Sequence, residues 1–389
     1  MVPIWLKPME EWPQFDDLRQ SVARLSGVTS VTGVSEAQKC HLASCVIYPL
    51  EKPCLFITFN ELQANKFYED FKFFFPRETV LFPQREVMLY NAAAHSHEVI
   101  GQRLSVLQRI MSGEKLLVVA SIDALLTPNM PPEVFRQSLI RIKEGDECDP
   151  QELAKRVVSL GYERVETVEG SGQFSIRGGI FDIFPLTSDK PARIDFFDEF
   201  VDSITTFDPL SQRSDDRIGE VIIPPAGELI LSRDELAAGK LEMERSFKKL
   251  ISGARRDSGL DLDKLKSRLE QVWTDMESGA LTDALFNYFP FFCKNPSTLL
   301  SYLGSDATII IDEPSRIRER TNNVASEFEE HFRELFLQGE VLPEQAGLLI
   351  SYADLLAEVS GSKCMVVQAL PKTNVGLEPR RIFQVTSRS

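Results

Sequence analysis

The sequence predicts an α/β protein, a parallel sheet covered by helices on both faces, with a smaller α+β domain inserted into it. Three observations point there. Short apolar runs alternate with helical periodicity up to Ala120. The alternation breaks around Pro131 to Leu139 and gives way to closely spaced, strand-like runs that continue to Arg213. It resumes where Thr308-Ile309-Ile310-Ile311 ends in Asp312-Glu313 and leads into a helix. Strands that alternate with helices pair in parallel and are buried on both faces, so they read as unbroken apolar runs.

In chain order, residues 15 to 25 predict a short helix, Val28 to Val34 a buried strand, and the stretch after Ser35 a second helix ending near Tyr48. Cys54 to Phe59 is the next strand. Asn60 caps a helix whose Ala64, Phe67, Tyr68, Phe71 and Phe74 keep the spacing of a core stripe. Thr79 to Phe82 makes a third strand, and Ser96 caps a helix with Val99, Ile100, Leu104, Leu107 and Met111 on one face and Gly113 as its stop. Leu116 to Ala120 is a fourth strand. Within the inserted region Pro150 to Leu160 is the one helical stretch. Helices then fill 233 to 255, announced by the capping box Ser232-x-x-Glu235, and 263 to 277. Pro314 opens a long helix with Ile317, Val324, Phe328, Phe332 and Leu335 inward and Gly339 as its stop. A last helix at Tyr352 to Val359 precedes the strand Cys364 to Gln368, and the polar tail 371–389 reads as a linker.

Composition narrows the function. At 389 residues the chain has room for two or three domains. A net charge of −15 repels phosphate over the whole surface, so nucleic acid would need a local basic groove or another segment of a longer protein. The cysteines at 40, 45, 54, 148, 293 and 364 form no CxxC pair and mostly sit in apolar runs, as reduced thiols in a cytoplasmic protein do. His95 and His97 have no cysteine or carboxylate support for a metal. The N-terminus lacks the apolar stretch of a signal peptide or membrane span.

From Gly170 to Arg213 the pattern is that of an antiparallel meander of three or four strands. Alternation places Ile194 and Phe196 on one face and Arg193, Asp195 and Phe197 on the other; likewise Phe174 and Ile176 oppose Ser175 and Arg177. Gly178-Gly179 supplies the tight reversal. Two readings of the outward face stand. In one, Arg177 and Arg193 are solvated cations balanced by Asp182 and Asp195. In the other, arginine beside an outward aromatic, Phe197, forms the centre of a binding surface.

A phosphate-binding loop needs glycines for a backbone cradle, a lysine for the phosphate charge and a hydroxyl for the metal. Gly33 to Cys40 occupies the right place between strand and helix and offers Gly33 and Lys39, but Gln38 stands where the second glycine belongs and Cys40 where the hydroxyl belongs. A chance glycine and lysine at this spacing is commoner than a working site, and the placement suggests a nucleotide site that has decayed. Asp312 and Glu313 fit the metal-binding carboxylates of such a site, although acidic residues often end strands. No nucleophile–base arrangement and no catalytic centre can be argued.

The run Gly172-Gln173-Phe174-x-Ile176-Arg177-Gly178-Gly179-Ile180-x-Asp182-Ile183-Phe184-Pro185, with Arg193-Ile194-Asp195-Phe196-Phe197 and Phe207-Asp208-x-x-x-Gln212-Arg213-Ser214, resembles the N-terminal region of the bacterial transcription-repair coupling factor (Mfd) family, the part similar to the excision-repair protein UvrB. The resemblance runs from about residue 15 to about residue 370. It implies a degenerate P-loop, helicase-like parallel sheet in two lobes: domain 1a at 1–135 and domain 1b at 223–370, with the α+β UvrA-binding domain 2 at 136–222 and a linker at 371–389. Arg177, Arg193 and Phe197 match the family positions that contact UvrA. UvrB's DNA-clamping hairpin is absent at Glu86 to His95, and Arg85 and Leu89 stand at the Trp and Pro positions of the family's Trp-Glu-x-Leu-Pro-Tyr sequence. The resemblance therefore implies a non-catalytic module that recruits UvrA and needs no cofactor, with ATP, Mg²⁺, RNA polymerase and DNA handled by translocase and other domains outside this chain, which can also mask the UvrA face. The alternative is a helicase-like fragment that still binds ATP.

Overall fold

Each early apolar run folds as a strand: β1 (Gly27–Thr32), β2 (Cys54–Thr58), β3 (Thr79–Phe82) and β4 (Leu117–Ser121), separated by the helices Glu36–Ile47, Glu61–Lys72 and His97–Met111. The computed structural model describes residues 3–24, 27–85, 97–253, 259–278, 283–371 and 376–385. Ser96, Leu89 and the Glu86 to His95 stretch lie outside the described residues. The insert supplies β5 (Ile140–Lys143), β6 (Glu163–Arg164), β7 (Gln173–Arg177), β8 (Ile180–Ile183), β9 (Ala192–Phe197), β10 (Phe200–Phe207), β11 (Ser214–Arg217) and β12 (Glu220–Ile223). The chain then returns with β13 (Thr308–Asp312), β14 (Lys363–Gln368) and β15 (Pro379–Gln384).

The central sheet is parallel throughout, in the order β15-β1-β14-β13-β2-β4-β3. Successive side chains of a strand point to opposite faces. Leu55 and Ile57 therefore join one core with Val118, Ala120, Ile309 and Ile311, while Cys54 and Phe56 join the other with Leu117, Val119 and Ile310. Helix Glu61–Lys72 is fixed at its start by Asn60, whose side chain accepts from the Gln63 amide, and it buries Ala64, Phe67 and Phe71.

The tail departs from the expectation of a linker over 371–389. Pro379–Gln384 is β15, paired parallel to β1, and Phe383 is buried beneath it at 7% exposure. An edge strand needs little apolar content, because one side chain can anchor it while Arg380 and Arg381 face solvent. That sparse pattern, with no alternation to read, is why the strand escapes sequence analysis.

The insert leaves and re-enters through a neck in which β5 and β12 pair antiparallel, Ile140 opposite Ile223 and Lys143 opposite Glu220. Beyond it lies a second sheet ordered β11-β10-β9-β8-β7-β6, a meander from β7 to β11 with β6 added parallel to β7. Its inner face packs Phe174, Phe181, Ile183, Ile194 and Ile204 against Leu153 and Val157 of the helix Pro150–Ser159, with Phe196 partly buried at the margin.

Glu228, just past the neck, fastens insert to sheet. Its carboxylate bonds Arg85 and Arg103, and all three side chains are at most 3% exposed. Arg103 also donates to the Pro83 carbonyl, to Thr127 and to Asn129. Burial acts to raise the Glu228 pKa, but the charges of Arg103 and Arg85 outweigh it and hold the carboxyl below its ordinary value. Helices Arg233–Gly253 and Leu262–Ser278 form a further lobe around Met243, Leu265 and Leu269. The box at Ser232 is present: Ser232 N donates to Glu235 and Glu235 N to Ser232 Oγ. Helix Pro314–Leu337 buries Ile317 and Leu335, with Val324, Phe328 and Phe332 partly buried. Short helices at Asp283–Tyr288, Phe289–Phe292 and Leu299–Leu303 have no counterpart in the sequence reading. Among the described residues no helix is long and apolar enough to cross a membrane.

If β15 is a packed strand, Phe383→Ala should lower the free energy of unfolding by about 2–4 kcal/mol in chemical denaturation. A linker residue would leave the midpoint unchanged.

Candidate functional site

The outward face of the insert is organised by Asp182. The register sets Asp182 opposite Arg193 and Ser175 opposite Asp182, and places Arg177 one pleat along β7 on the same face. Arg193 grips the carboxylate with both arms, Nε to Oδ1 at 2.7 Å and Nη2 to Oδ2 at 2.9 Å, and Arg177 Nη2 adds a third bond to Oδ2 at 2.9 Å. Hydrogen bonding to Asp182 is the main cause that raises the Arg193 pKa above its ordinary value.

The two arginines nevertheless sit differently. Arg177 is 49% exposed at its side chain, Arg193 only 14%, and Asp182 1%. Arg193 Nη1 donates to the Gln212 carbonyl and its guanidinium lies 4.6 Å from the centre of the Phe207 ring. A loop across the sheet explains this cover. Gln212, held at φ 60°, donates its side chain to the carbonyls of Val168 and Pro209, and Ser175 Oγ donates to Glu166 O. The expectation that both arginines face solvent holds for Arg177 and fails for Arg193, because strand alternation assigns a face but does not show that a loop closes over it. Phe197 is 78% exposed at the end of β9.

The loop after β1 lies at the carboxyl edge of the central sheet, where open α/β folds place ligands. Ser35 precedes the helix Glu36–Ile47, and its N and Oγ both donate to Gln38 Oε1 at 3.1 and 2.8 Å, so Gln38 closes the first turn on itself. Lys39 is 4% exposed and its ammonium contacts Asp312 Oδ1 at 2.6 Å and Glu313 Oε1 at 2.7 Å. Thr58 Oγ1 donates to the other Asp312 oxygen at 2.9 Å, and Ala369 N donates to Glu313. Burial raises the Asp312 pKa against the lowering effect of Lys39. Cys40 is buried, and desolvation pushes its thiol up. Gly33 has φ +81°, and a Cβ there would lie 2.3 Å from the Val385 carbonyl, so the tail closes directly over the loop. The structure thus brings Lys39, Asp312 and Glu313 into one bonded cluster, with Gly33 against the tail and Cys40 turned into the core.

Two outcomes follow from these clusters. Arg193→Glu should lose roughly 3–5 kcal/mol of stability, because it strands the buried Asp182 charge, whereas Arg177→Glu, half exposed, should cost under about 1 kcal/mol. Equal melting temperatures would contradict the difference in burial. Lys39→Met should leave Asp312 buried without its cation, raising the native pKa further above the unfolded one. The native state then retains a proton the unfolded chain has released, so the variant loses stability as pH rises. Its deficit against wild type should be roughly 3–5 kcal/mol at neutral pH and narrow as pH falls towards about 4. A pH-independent deficit would show that the cluster is not what Lys39 supports.

Residues 140–229 match the UvrB interaction domain, a span that holds the whole six-stranded sheet and the neck. Along nearly its full length the chain is similar to transcription-repair-coupling factors. It is 34% identical over 334 residues to that of Bacillus subtilis, covering 84% of this chain and 28% of the relative. It is 28% identical over 358 residues to that of Staphylococcus aureus, covering 91% and 30%, and 29% identical over 314 residues to that of Staphylococcus haemolyticus, covering 79% and 26%. The chain spans less than a third of the length of these curated relatives. Residues 140–229 thus match the UvrB interaction domain within an α/β scaffold, and the chain as a whole is similar to part of the transcription-repair-coupling factors.

Proposed function

We propose that this chain is a non-catalytic docking module that recruits UvrA in transcription-coupled nucleotide excision repair, through the face that carries Arg177, Arg193 and Phe197. The observation that carries the reading is a coincidence of place. Within the span matching the UvrB interaction domain, an exposed guanidinium and an exposed phenyl ring stand on a sheet stiffened by a buried ion cluster. Arginine and aromatic side chains are the residues that dominate binding energy at interface centres. Arg193 contributes by fixing Asp182, and so the position of Arg177, as well as through its own exposed edge.

In the same proposal, ATP-driven DNA translocation, contact with RNA polymerase and a masking contact over the UvrA face are assigned to segments of longer relatives outside these 389 residues. The second reading, a helicase-like fragment that binds ATP, has Lys39 and the strand-end carboxylates in its favour. It is opposed by their geometry. A nucleotide would have to take the Lys39 ammonium from two carboxylates, one of them buried, without a metal-binding hydroxyl at Cys40 or an open first turn at Gln38. The residues at this edge therefore do not fit ATP–Mg²⁺.

Calorimetric titration with purified UvrA should show binding that Arg177→Glu weakens by ten- to a hundredfold, equivalent to about 1.4–3 kcal/mol, and that Phe197→Ala weakens comparably, with both variants melting within a few degrees of wild type. Titration with ATP–Mg²⁺ should give no heat. Folded variants that hold UvrA like wild type would sink the docking reading, and micromolar ATP binding lost in Lys39→Ala would favour the second.

A further inference from the structure

We infer that Phe200 is a second aromatic anchor of the docking face, paired with Phe197 in one contact. The inference rests on the reading of this face as the UvrA contact and adds to it the shape of the partner's site.

Phe200 opens β10 directly opposite Phe197, the last residue of β9. Residues paired across an antiparallel ladder share a face, so both rings project from the outward side. Phe197 is 78% exposed and Phe200 52%, while Ile194, Val201 and Ile204 of the same two strands are at most 2% exposed. Phe197 is largely and Phe200 half in solvent, beside a packed inner face, so the two positions leave adjacent apolar area that the fold does not cover.

The tip is also held still. On one side the Phe196 amide donates to Gly179 O at 2.7 Å, and a Cβ on Gly179 would come within 2.8 Å of the Phe196 carbonyl, which ties the β9 end to the turn that carries Arg177. On the other, Cys148 N donates to Glu199 O at 2.7 Å and Val201 N to Asp146 O at 2.9 Å, with Glu147 bridged to Phe200. Asp198 turns the hairpin at φ 58°. A hairpin end braced from both flanks has already lost its freedom before binding, so little ordering entropy opposes the contact. The chemistry that fits Arg177, Phe197 and Phe200 together is an apolar recess wide enough for two rings, with a carboxylate at its rim. That is the surface we assign to UvrA.

The test is titration of purified UvrA against the whole chain carrying Phe200→Ala, Phe200→Leu, Phe197→Ala, Arg177→Glu and Leu210→Ala, the last being 93% exposed in the loop after β10. Phe200→Ala should weaken binding about tenfold, Phe200→Leu should recover most of the loss, and Leu210→Ala should stay within about twofold of wild type. A photoreactive benzoylphenylalanine at position 200 should cross-link to UvrA, and one at position 210 should not; this arm reads the contact without removing the ring. If Phe197→Ala and Arg177→Glu lose binding while Phe200→Ala does not, or position 200 fails to cross-link, the second anchor is wrong and the docking face stands. If none of the three weakens binding, the docking reading fails and the inference with it.

Discussion

The insert depends on one carboxylate that has lost its water. Asp182 is 1% exposed at its side chain, and a buried charge of that kind persists only with partners of excellent geometry. Three guanidinium contacts provide them, two from Arg193 and one from Arg177. The arrangement fixes the register of β7, β8 and β9 against each other, because each of these strands supplies one member of the cluster. It also divides the labour of the arginines: Arg193 is largely consumed by the fold, and Arg177 is held at the surface with half its side chain in solvent.

Buried charge clusters also join distant segments of chain elsewhere in the molecule. Glu228 between Arg85 and Arg103 fastens the exit of the insert to the helix His97–Met111 and to the end of β3. Lys39 between Asp312 and Glu313 draws the loop after β1 to the end of β13. In a sheet whose carboxyl edge ordinarily receives a ligand, this edge is filled by its own side chains and covered by the tail at Val385. Of these contacts, the Glu228 pair with Arg85 and Arg103 is the one that ties the insert's exit to the scaffold.

Much of this was legible in the residues. Buried parallel strands announce themselves as apolar runs, so β1, β2, β4, β13 and β14 were readable, and the Asn60 and Ser232 caps marked their helices because their chemistry is local. Alternation placed Arg177 and Phe197 outward correctly. What escaped were features set by distant chain. The loop that covers Arg193 depends on Gln212 reaching Val168, and β15 depends on β1 offering an edge, neither of which is a property of the local sequence. Phe200 escaped because its exposure depends on which residues the hairpin turn pairs, and a one-residue shift of register would have turned it inward. The buried fate of Arg85 and Arg103 rests on Glu228, which lies 143 and 125 residues away in sequence.

The most direct measurement of the central claim is amide hydrogen exchange on the whole chain with and without purified UvrA. The account predicts that UvrA adds protection at the two turns of the outward sheet, residues 177–180 and 196–201, and leaves the loop 33–40 at the carboxyl edge of the central sheet unchanged. Protection of residues 33–40 with none at the two turns would contradict it.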